Sequence, residues 1–502
     1  MNVLLLRPDP GNERFGLGPF FRVEPLGLEY LAAAVEPLGV DVSIGDLRYR
    51  PSLRSWMRRA RPRVVGLSCM HALEYDATLA VAREVRRLAP DVFIVVGGHA
   101  AGTYPQALYD RSIDAICIDD AEEVFPQLLE ALAGRRSLQQ VPALLLRMGG
   151  DFVPTPPLAE RTDLDRVPLP ARGLVSRYRK HYLCLNYQPV WLLETARGCP
   201  YRCSFCSVWQ LYDRSFRERS IGAVVDDFAT VGPNVFVADD LFWNHAARSR
   251  ELALALRKRG IRKRWVLVQA RGDTVARRPE LLDLWRPIAD RFDIFFGFET
   301  PTDRTLAALD KDTDVAATLA GVQAARAADY GITGNFVIDP TWHDEDFERL
   351  WDFVAEHGLR RSGFTILTPL PGTTYYEQVR ALIGEQPWFK YDMHHLLWEP
   401  QIGTKRFFEL FAETWRRSVL NIRGDKKLSA WIRQIEPRKL PMLMAVLLRT
   451  QRQMNPEAYL REHGALPRRH PLLEPLQDLW SRPPAPRVSG VPTSPGRHHR
   501  AA

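Results

Sequence analysis

Three cysteines, Cys199, Cys203 and Cys206, lie in the stretch Glu194-Thr195-Ala196-Arg197-Gly198-Cys199-Pro200-Tyr201-Arg202-Cys203-Ser204-Phe205-Cys206, directly after the apolar run Val190-Trp191-Leu192-Leu193. Thiolates spaced in this way on one turn-rich loop can converge on a single soft metal centre. Three protein ligands leave one metal position open for chemistry. A structural zinc site needs four closed ligands, and no partner motif follows nearby. The other three cysteines, Cys69, Cys117 and Cys184, are scattered, so half of the chain's six are packed into this loop. Scattered cysteine behaves as a small hydrophobe, and a cluster of this density does not.

The elements that must position this loop are read from periodicity. Residues 1–145 alternate short Val/Ile/Leu strands with helices: strands at Val3–Leu6, Val40–Ile44, Val64–Ser68, Val92–Val96 and Asp114–Ile118, with helices at Pro25–Leu38, Asp76–Leu88 and through Leu132. The pattern predicts an α/β fold beginning with a doubly wound, Rossmann-like parallel sheet. Its ligand crevice opens at the carboxyl ends of the strands, at Arg7–Asp9, Cys69–Glu74, Gly97–Thr103 and Asp119–Glu123. Residues 146–185 are rich in Pro and Arg and read as a linker. From Val190 to about Gln378 six further strand-like runs recur, which predicts a parallel barrel or part of one. Its active residues belong at the carboxyl ends of the strands. Residues 386–480 have helical patterning, and the tail 481–502 reads as disordered.

The polar residues at those strand ends are the next candidates. Asp239-Asp240 ends the second barrel strand and is read either as a helix N-cap or as a ligand for a hydroxyl, a cation or a cofactor. Arg271 ends the third and can pair with a cofactor carboxylate or a carboxylate of the fold. Glu299 ends the fourth, followed by Lys311. Trp209, Tyr212, Phe242 and Trp243 lie near the same mouth and would suit a large apolar substrate.

The chain has 502 residues, 46% of them apolar and 25% charged, so it is a globular protein of several domains rather than a disordered one. The net charge is +8 and the cations are scattered rather than set in a nucleic-acid motif. Such a surface suits an acidic electron carrier or a membrane surface. No apolar run is long enough to span a bilayer, and the N-terminus reads as a buried strand rather than a signal peptide. Six cysteines in so long a chain make no disulfide framework, so a reducing, cytoplasmic setting is expected.

The string Arg-Gly-Cys-Pro-x-x-Cys-Ser-Phe-Cys-Ser-x-Trp-x-x-Tyr-x-Arg-Ser, ending at Ser215, resembles the cobalamin-binding radical S-adenosylmethionine enzymes, especially hopanoid C-3 methylases and anaerobic magnesium-protoporphyrin ester cyclases. The resemblance implies a [4Fe-4S] cluster on Cys199, Cys203 and Cys206, with S-adenosylmethionine on the fourth iron and Phe205 on the cofactor side. It implies an open (β/α)6 barrel with a helical C-terminal domain, and Glu299 contacting the cofactor's ribose or amino group. Upstream it implies cobalamin at the turn Gly97-Gly98-His99, with Met70 and His71 under the corrin and no classical histidine on cobalt. Relatives commonly carry a Gly-Glu-Gly-Glu type turn where this chain has Asp119-Asp120-Ala121-Glu122-Glu123. The implied activity is methyl transfer to an unactivated carbon of a large substrate, or oxidative cyclisation of a porphyrin ester, with a flavodoxin- or ferredoxin-type electron donor. A non-catalytic iron–sulfur or cobalamin sensor is the reading from another class, and no DNA-binding segment supports it.

Overall fold

The computed structural model describes residues 1–11, 21–418, 444, 448, 452 and 454–464. The chain opens with β1 (Asn2–Arg7) and a short β2 (Phe21–Arg22), followed by β3 (Asp41–Asp46), β4 (Val64–Ser68), β5 (Phe93–Gly97), β6 (Ala115–Cys117), β7 (Leu144–Met148) and β8 (Asp151–Pro154). Seven of these form one sheet in the order β3-β1-β4-β5-β6-β7-β8, with β2 outside it. The first five are parallel and the last two antiparallel. Leu4, Leu5, Leu6, Val64, Val65, Ile94 and Val96 are fully buried, as strands covered on both faces require. The helix expected over Pro25–Leu38 is split into Leu26–Ala34 and a single 3-10 turn, Glu36–Leu38, closed by Gly39 at φ +64°. The hairpin β7–β8 extends the first sheet to Pro154, so the sheet overruns the boundary expected at residue 145. Its Pro content misleads because Pro154 sits at the end of an edge strand, where no ladder N–H is missed.

After β9 (Leu183–Cys184), which pairs with β2, come β10 (Trp191–Leu193), β11 (Ala196–Gly198), β12 (Phe216–Glu218), β13 (Asn234–Val237), β14 (Lys263–Ala270), β15 (Ala289–Glu299), β16 (Gly331–Ile338) and β17 (Ser362–Ile366). Six of them form a parallel sheet in sequential order, β10-β13-β14-β15-β16-β17, and β11 and β12 make a separate antiparallel ribbon. The expected six-strand unit is therefore present. Helices Thr404–Arg417 and Pro456–Gly464 follow it. The tail 481–502, with His498-His499, lies outside the described residues.

The two sheets share an apolar seam. Along β13 and β14, Val235, Val237, Val266 and Val268 pack into the core beneath the barrel's helices. The alternate residues Phe236, Trp265 and Leu267 join the core of the N-terminal sheet. Tyr187 stacks on Trp265 with ring centroids 4.0 Å apart, and Phe21 meets Phe236 edge-on. Glu24, buried, accepts from the Leu192 N–H at 2.6 Å and pairs with Arg179, which fixes β10 against the first domain.

Close helix contact in the second sheet depends on glycine. A Cβ on Gly321 would run into the Gly272 carbonyl, and one on Gly272 would lie 2.6 Å from Thr318 Cα. The obstructions are backbone, so relief requires the helices Gly272–Arg277 and Val315–Ala327 to part. Gly321→Ala is expected to destabilise the apoprotein by about 1–3 kcal/mol, read from the urea midpoint. An unchanged midpoint would refute this packing.

Candidate functional site

The cysteine loop is closed at its base by the ribbon, in which Ala196 faces Glu218, Arg197 faces Arg217 and Gly198 faces Phe216. Gly198 adopts φ +94°, and a Cβ there would strike the Ser215 carbonyl, so only glycine lets the two ends meet. Within the loop the Cys206 N–H donates to the Cys203 carbonyl at 3.1 Å, and so does the Trp209 indole N–H at 2.9 Å. The Ser204 N–H donates to the Leu309 carbonyl at 3.0 Å, and the Ser204 carbonyl accepts from the Tyr375 N–H at 2.9 Å. These last two bonds fasten the loop to the segments after β15 and β17.

Each of the three thiols is within electrostatic reach of the other two. Burial raises the pKa of all three, that of Cys206 to about 12. They are therefore held as thiols until a metal displaces the proton. Among the described residues no three His, Cys, Asp or Glu side chains close around a single ion. In an iron–sulfur cluster each thiolate binds a different iron. Phe205 is half-buried in the turn between Cys203 and Cys206.

Asp239 and Asp240 cap no helix; the following helix, Ala246–Lys258, has His245 at that position. They hold the loop's backbone instead. Asp239 accepts from the Thr195 N–H and hydroxyl, both at 2.6 Å, and Asp240 accepts from the Gly198 N–H at 2.9 Å. Burial outweighs these bonds and lifts Asp239 to about 7 and Asp240 to about 6.

β15 ends in a bulge, with the register against β16 shifting between Gly297 and Glu299. Glu299 takes φ +58° and pairs with Lys311 at 2.5 Å, both nearly buried. A Cβ on Gly297 would come within 2.5 Å of the Glu299 carboxylate and 2.9 Å of Lys311 Nζ, so the missing side chain makes room for the pair. Burial would lower the Lys311 pKa, but the charge and hydrogen bond of Glu299 prevail and raise it, with Cys203 within electrostatic reach. The pair therefore lies beside the cysteine loop. Strain of this kind at a strand mouth is a mark of functional sites. Arg271 is committed to the fold: Nε donates to Asp273 at 3.0 Å, Nη1 to the Lys311 carbonyl at 2.8 Å and Nη2 to the Asp312 carbonyl at 2.6 Å. Its guanidinium also lies 3.7 Å above the Tyr201 ring, so it braces the loop.

On the other side, β5 ends at Gly97 and Gly98. Gly98 has φ +114°, and a Cβ there would lie 2.6 Å from the Cys69 carbonyl and 3.1 Å from Met70 Sδ, whereas one on Gly97 would make only ordinary contact. Met70 is 39% exposed, and its N–H donates to Glu74 at 2.6 Å. His99 Nε2 lies 2.6 Å from the Ser207 hydroxyl, next to Cys206. His71 is exposed to the cavity, and desolvation there lowers it to about 3, with help from Arg7; burial lowers His99 to about 4, with help from His71, so the His99 ring is neutral at pH 7.

A cavity of about 480 Å3 joins the two halves. Met70, His71, Gly98 and His99 line one side and Glu194, Arg197, Tyr212 and Asp240 the other. An apolar recess runs between the helices Leu26–Ala34 and Ala121–Leu132, past Leu28, Val124, Phe125 and Leu128. Phe242 and Trp243 do not reach the cavity. They are buried against Trp285 and Phe292, and the aromatic-mouth expectation fails for them. The turn after β17 instead presses on the first domain: a Cβ on Gly372, at φ +87°, would lie 2.5 Å from the Thr103 carbonyl.

Two outcomes follow for the apoprotein. Lys311→Met should cost about 3–5 kcal/mol in chemical unfolding by leaving a buried carboxylate unpaired, and adding Glu299→Gln should recover most of it; a loss below about 1 kcal/mol would mean a solvated pair. For Asp239, the native state binds more protons than the unfolded chain between its ordinary 3.8 and about 7, so stability falls as pH rises through that window. Asp239→Asn escapes this loss. Its melting temperature should gain on the wild type from pH 4 to pH 7 and level off above; a difference independent of pH would refute the assignment.

Residues 19–129 match the B12 binding domain family and residues 193–354 the Radical SAM superfamily. The chain is 29% identical over 490 residues to the hopanoid C-3 methylase of Methylococcus capsulatus, covering 93% of this chain and 89% of that one. It is 25% identical to the anaerobic magnesium-protoporphyrin IX monomethyl ester cyclase of Rubrivivax gelatinosus, covering 84% and 78%. Its fold is similar to that of the cobalamin-dependent S-adenosylmethionine radical enzyme OxsB, solved with aqua-cobalamin and S-adenosylmethionine bound, with a TM-score of 0.67 at 16% identity over 90% of this chain and 71% of that one. With both domains matched in order and the glycine turn set against the cysteine loop, the chain carries the domain pair of cobalamin-binding radical S-adenosylmethionine enzymes, a B12 binding domain followed by a Radical SAM domain, and its cofactors are a [4Fe-4S] cluster, S-adenosylmethionine and cobalamin.

Proposed function

We propose that this protein methylates an unactivated carbon of a large, mostly apolar substrate of hopanoid type. The observation that carries the reading is the one cavity that the Gly98 turn shares with Leu211 and Tyr212, at the far end of the cysteine loop. The near full-length likeness to a hopanoid C-3 methylase supports the substrate class. When bound, the cluster supplies the electron that cleaves S-adenosylmethionine to a 5′-deoxyadenosyl radical, and cobalamin supplies the methyl group.

The chain's own residues position and shield that chemistry. Cys199, Cys203 and Cys206 hold the cluster, with Phe205 in the turn between them. Glu299, turned inward by the bulge and anchored by Lys311, offers a carboxylate suited to ribose hydroxyls or an ammonium group. The tight turn at Gly97 and Gly98, the Met70 loop and His71 form the cobalamin face. The recess past Val124 and Phe125 suits a flat apolar base. His99, neutral and bonded to Ser207, keeps the two faces in register. Arg271 acts on the cofactor only through the loop that it braces.

Arg202 and Arg214, exposed on the cysteine loop, offer an acidic flavodoxin- or ferredoxin-type donor a place to dock. No helix of the described residues is long and apolar enough to cross a membrane, and a cytoplasmic enzyme meeting a membrane-borne substrate at the bilayer surface fits the scattered positive charge.

Anaerobic reconstitution with methyl-labelled S-adenosylmethionine and a hopanoid tests this. The label should appear on the substrate, with 5′-deoxyadenosine formed alongside. Cleavage without label transfer, on a porphyrin ester, would favour the cyclase reading that the second relative supports. A fully loaded protein that never cleaves S-adenosylmethionine would overturn both. Cys203→Ala should abolish cluster and cleavage together, and retained cleavage would refute the ligand assignment.

A further inference from the structure

The acidic turn after β6 stands where relatives commonly carry glycine and glutamate, and two of its carboxylates, Asp120 and Glu122, have a structural use. They grip the ribbon that closes the cysteine loop. Arg197 and Arg217 face each other across that ribbon, and like charges directly opposite in a strand pair repel. Asp120, nearly buried and from the other domain, lies against both. Its Oδ1 accepts from Arg197 Nη1 at 2.9 Å and its Oδ2 from Arg217 Nη1 at 2.6 Å. Glu122 accepts from Arg197 Nη2 at 2.8 Å, and Glu194 accepts from the same nitrogen at 2.9 Å and from Nε at 3.1 Å. Arg217 also donates to the Thr162 carbonyl at 2.8 Å. Arg197 is only 8% exposed. Its guanidinium therefore meets three carboxylates at once, a geometry that a lysine ammonium would not reproduce.

We propose that Asp120 and Arg197 are positioning residues: the cobalamin-side domain closes the cluster loop by neutralising two facing arginines at its base, so that the loop is fully shaped only when docked. The corrin side and the radical-generating side are thereby held at one fixed separation. A displacement of the loop by about 1 Å would leave radical formation possible while costing about a hundredfold in the transfer that follows. This last consequence rests on the methyl-transfer reading; the closure of the loop does not.

Hydrogen exchange on the full-length apoprotein tests the closure alone. Asp120→Asn keeps the size of the side chain and removes its charge. Amides of residues 195–218 should then exchange about tenfold faster or more, while those of 2–7, 64–68 and 93–97 keep wild-type protection. Adding Arg217→Gln removes the facing cation and should restore most of the lost protection, a rescue that a merely structural role would not give. Unchanged exchange in the ribbon, an equal loss over the whole chain, or a double variant worse than the single one would each overturn the proposal. Should Asp120→Asn not fold, the comparison of Arg197→Lys with wild type reads the same ribbon, and unaltered protection there overturns it equally. In the reconstituted enzyme, the ratio of 5′-deoxyadenosine to methylated product should rise about tenfold in Asp120→Asn and fall back in the double variant; a parallel loss of both products in the two variants would argue against positioning. An enzyme without methyl transfer would fail this second measurement and still pass the first.

Discussion

Two guanidinium groups facing each other across a three-residue ribbon are the constraint on which the site depends. The loop between Gly198 and Phe216 carries Cys199, Cys203 and Cys206, and nothing draws thiols together before a metal arrives. The ribbon closes the base on which their spacing depends, and its facing arginines push it open. Glu194 supplies part of the counter-charge locally, and the rest, from Asp120 and Glu122, comes from an element far away in sequence, at the carboxyl edge of a different sheet. Shape at the cluster is thus a property of the domain interface rather than of the cysteine motif.

Around that junction the two sheets behave as one body. The core of the first sheet takes in Phe236, Trp265 and Leu267 from the second, while their alternating neighbours pack under the barrel's helices. Parallel strands buried on both faces supply this double use without any special residue. Burial on this scale also explains the charged side chains inside the seam. Glu24 with Arg179 and Arg172 with Asp227 are ion pairs, with the carboxylates fully buried and the arginines nearly so, and buried charges persist where each has a partner.

Much of the architecture was legible in the sequence because it is written in short periods. The alternation of apolar runs with helices gave both parallel sheets, and the close spacing of Cys199, Cys203 and Cys206 marked the chemistry. What was not legible depends on partners distant along the chain. The expectation that Asp239-Asp240 caps a helix fails, and the donors they do meet, Thr195 and Gly198, lie in an earlier strand region. Arg271 was read with two possible partners, and Asp273, two residues on, together with the backbone near Asp312 decides for the fold. Phe242 and Trp243 look like a substrate wall by position, and only the packing of Trp285 and Phe292 shows them to be core. The hairpin β7–β8 was hidden by proline, which edge strands tolerate.

The bond between His99 and Ser207 has an evolutionary consequence. The two families matched by this chain are recognised separately, as if they were exchangeable parts. Yet a turn of the first domain hydrogen-bonds Ser207, next to Cys206 of the second. A recombinant that joined this N-terminal domain to another radical-generating barrel would inherit both cofactors' sites and lose the contact between them. The unit that selection can shuffle without loss is the pair of domains together, which leaves the segments beyond the barrel as the freer ground for changing substrates.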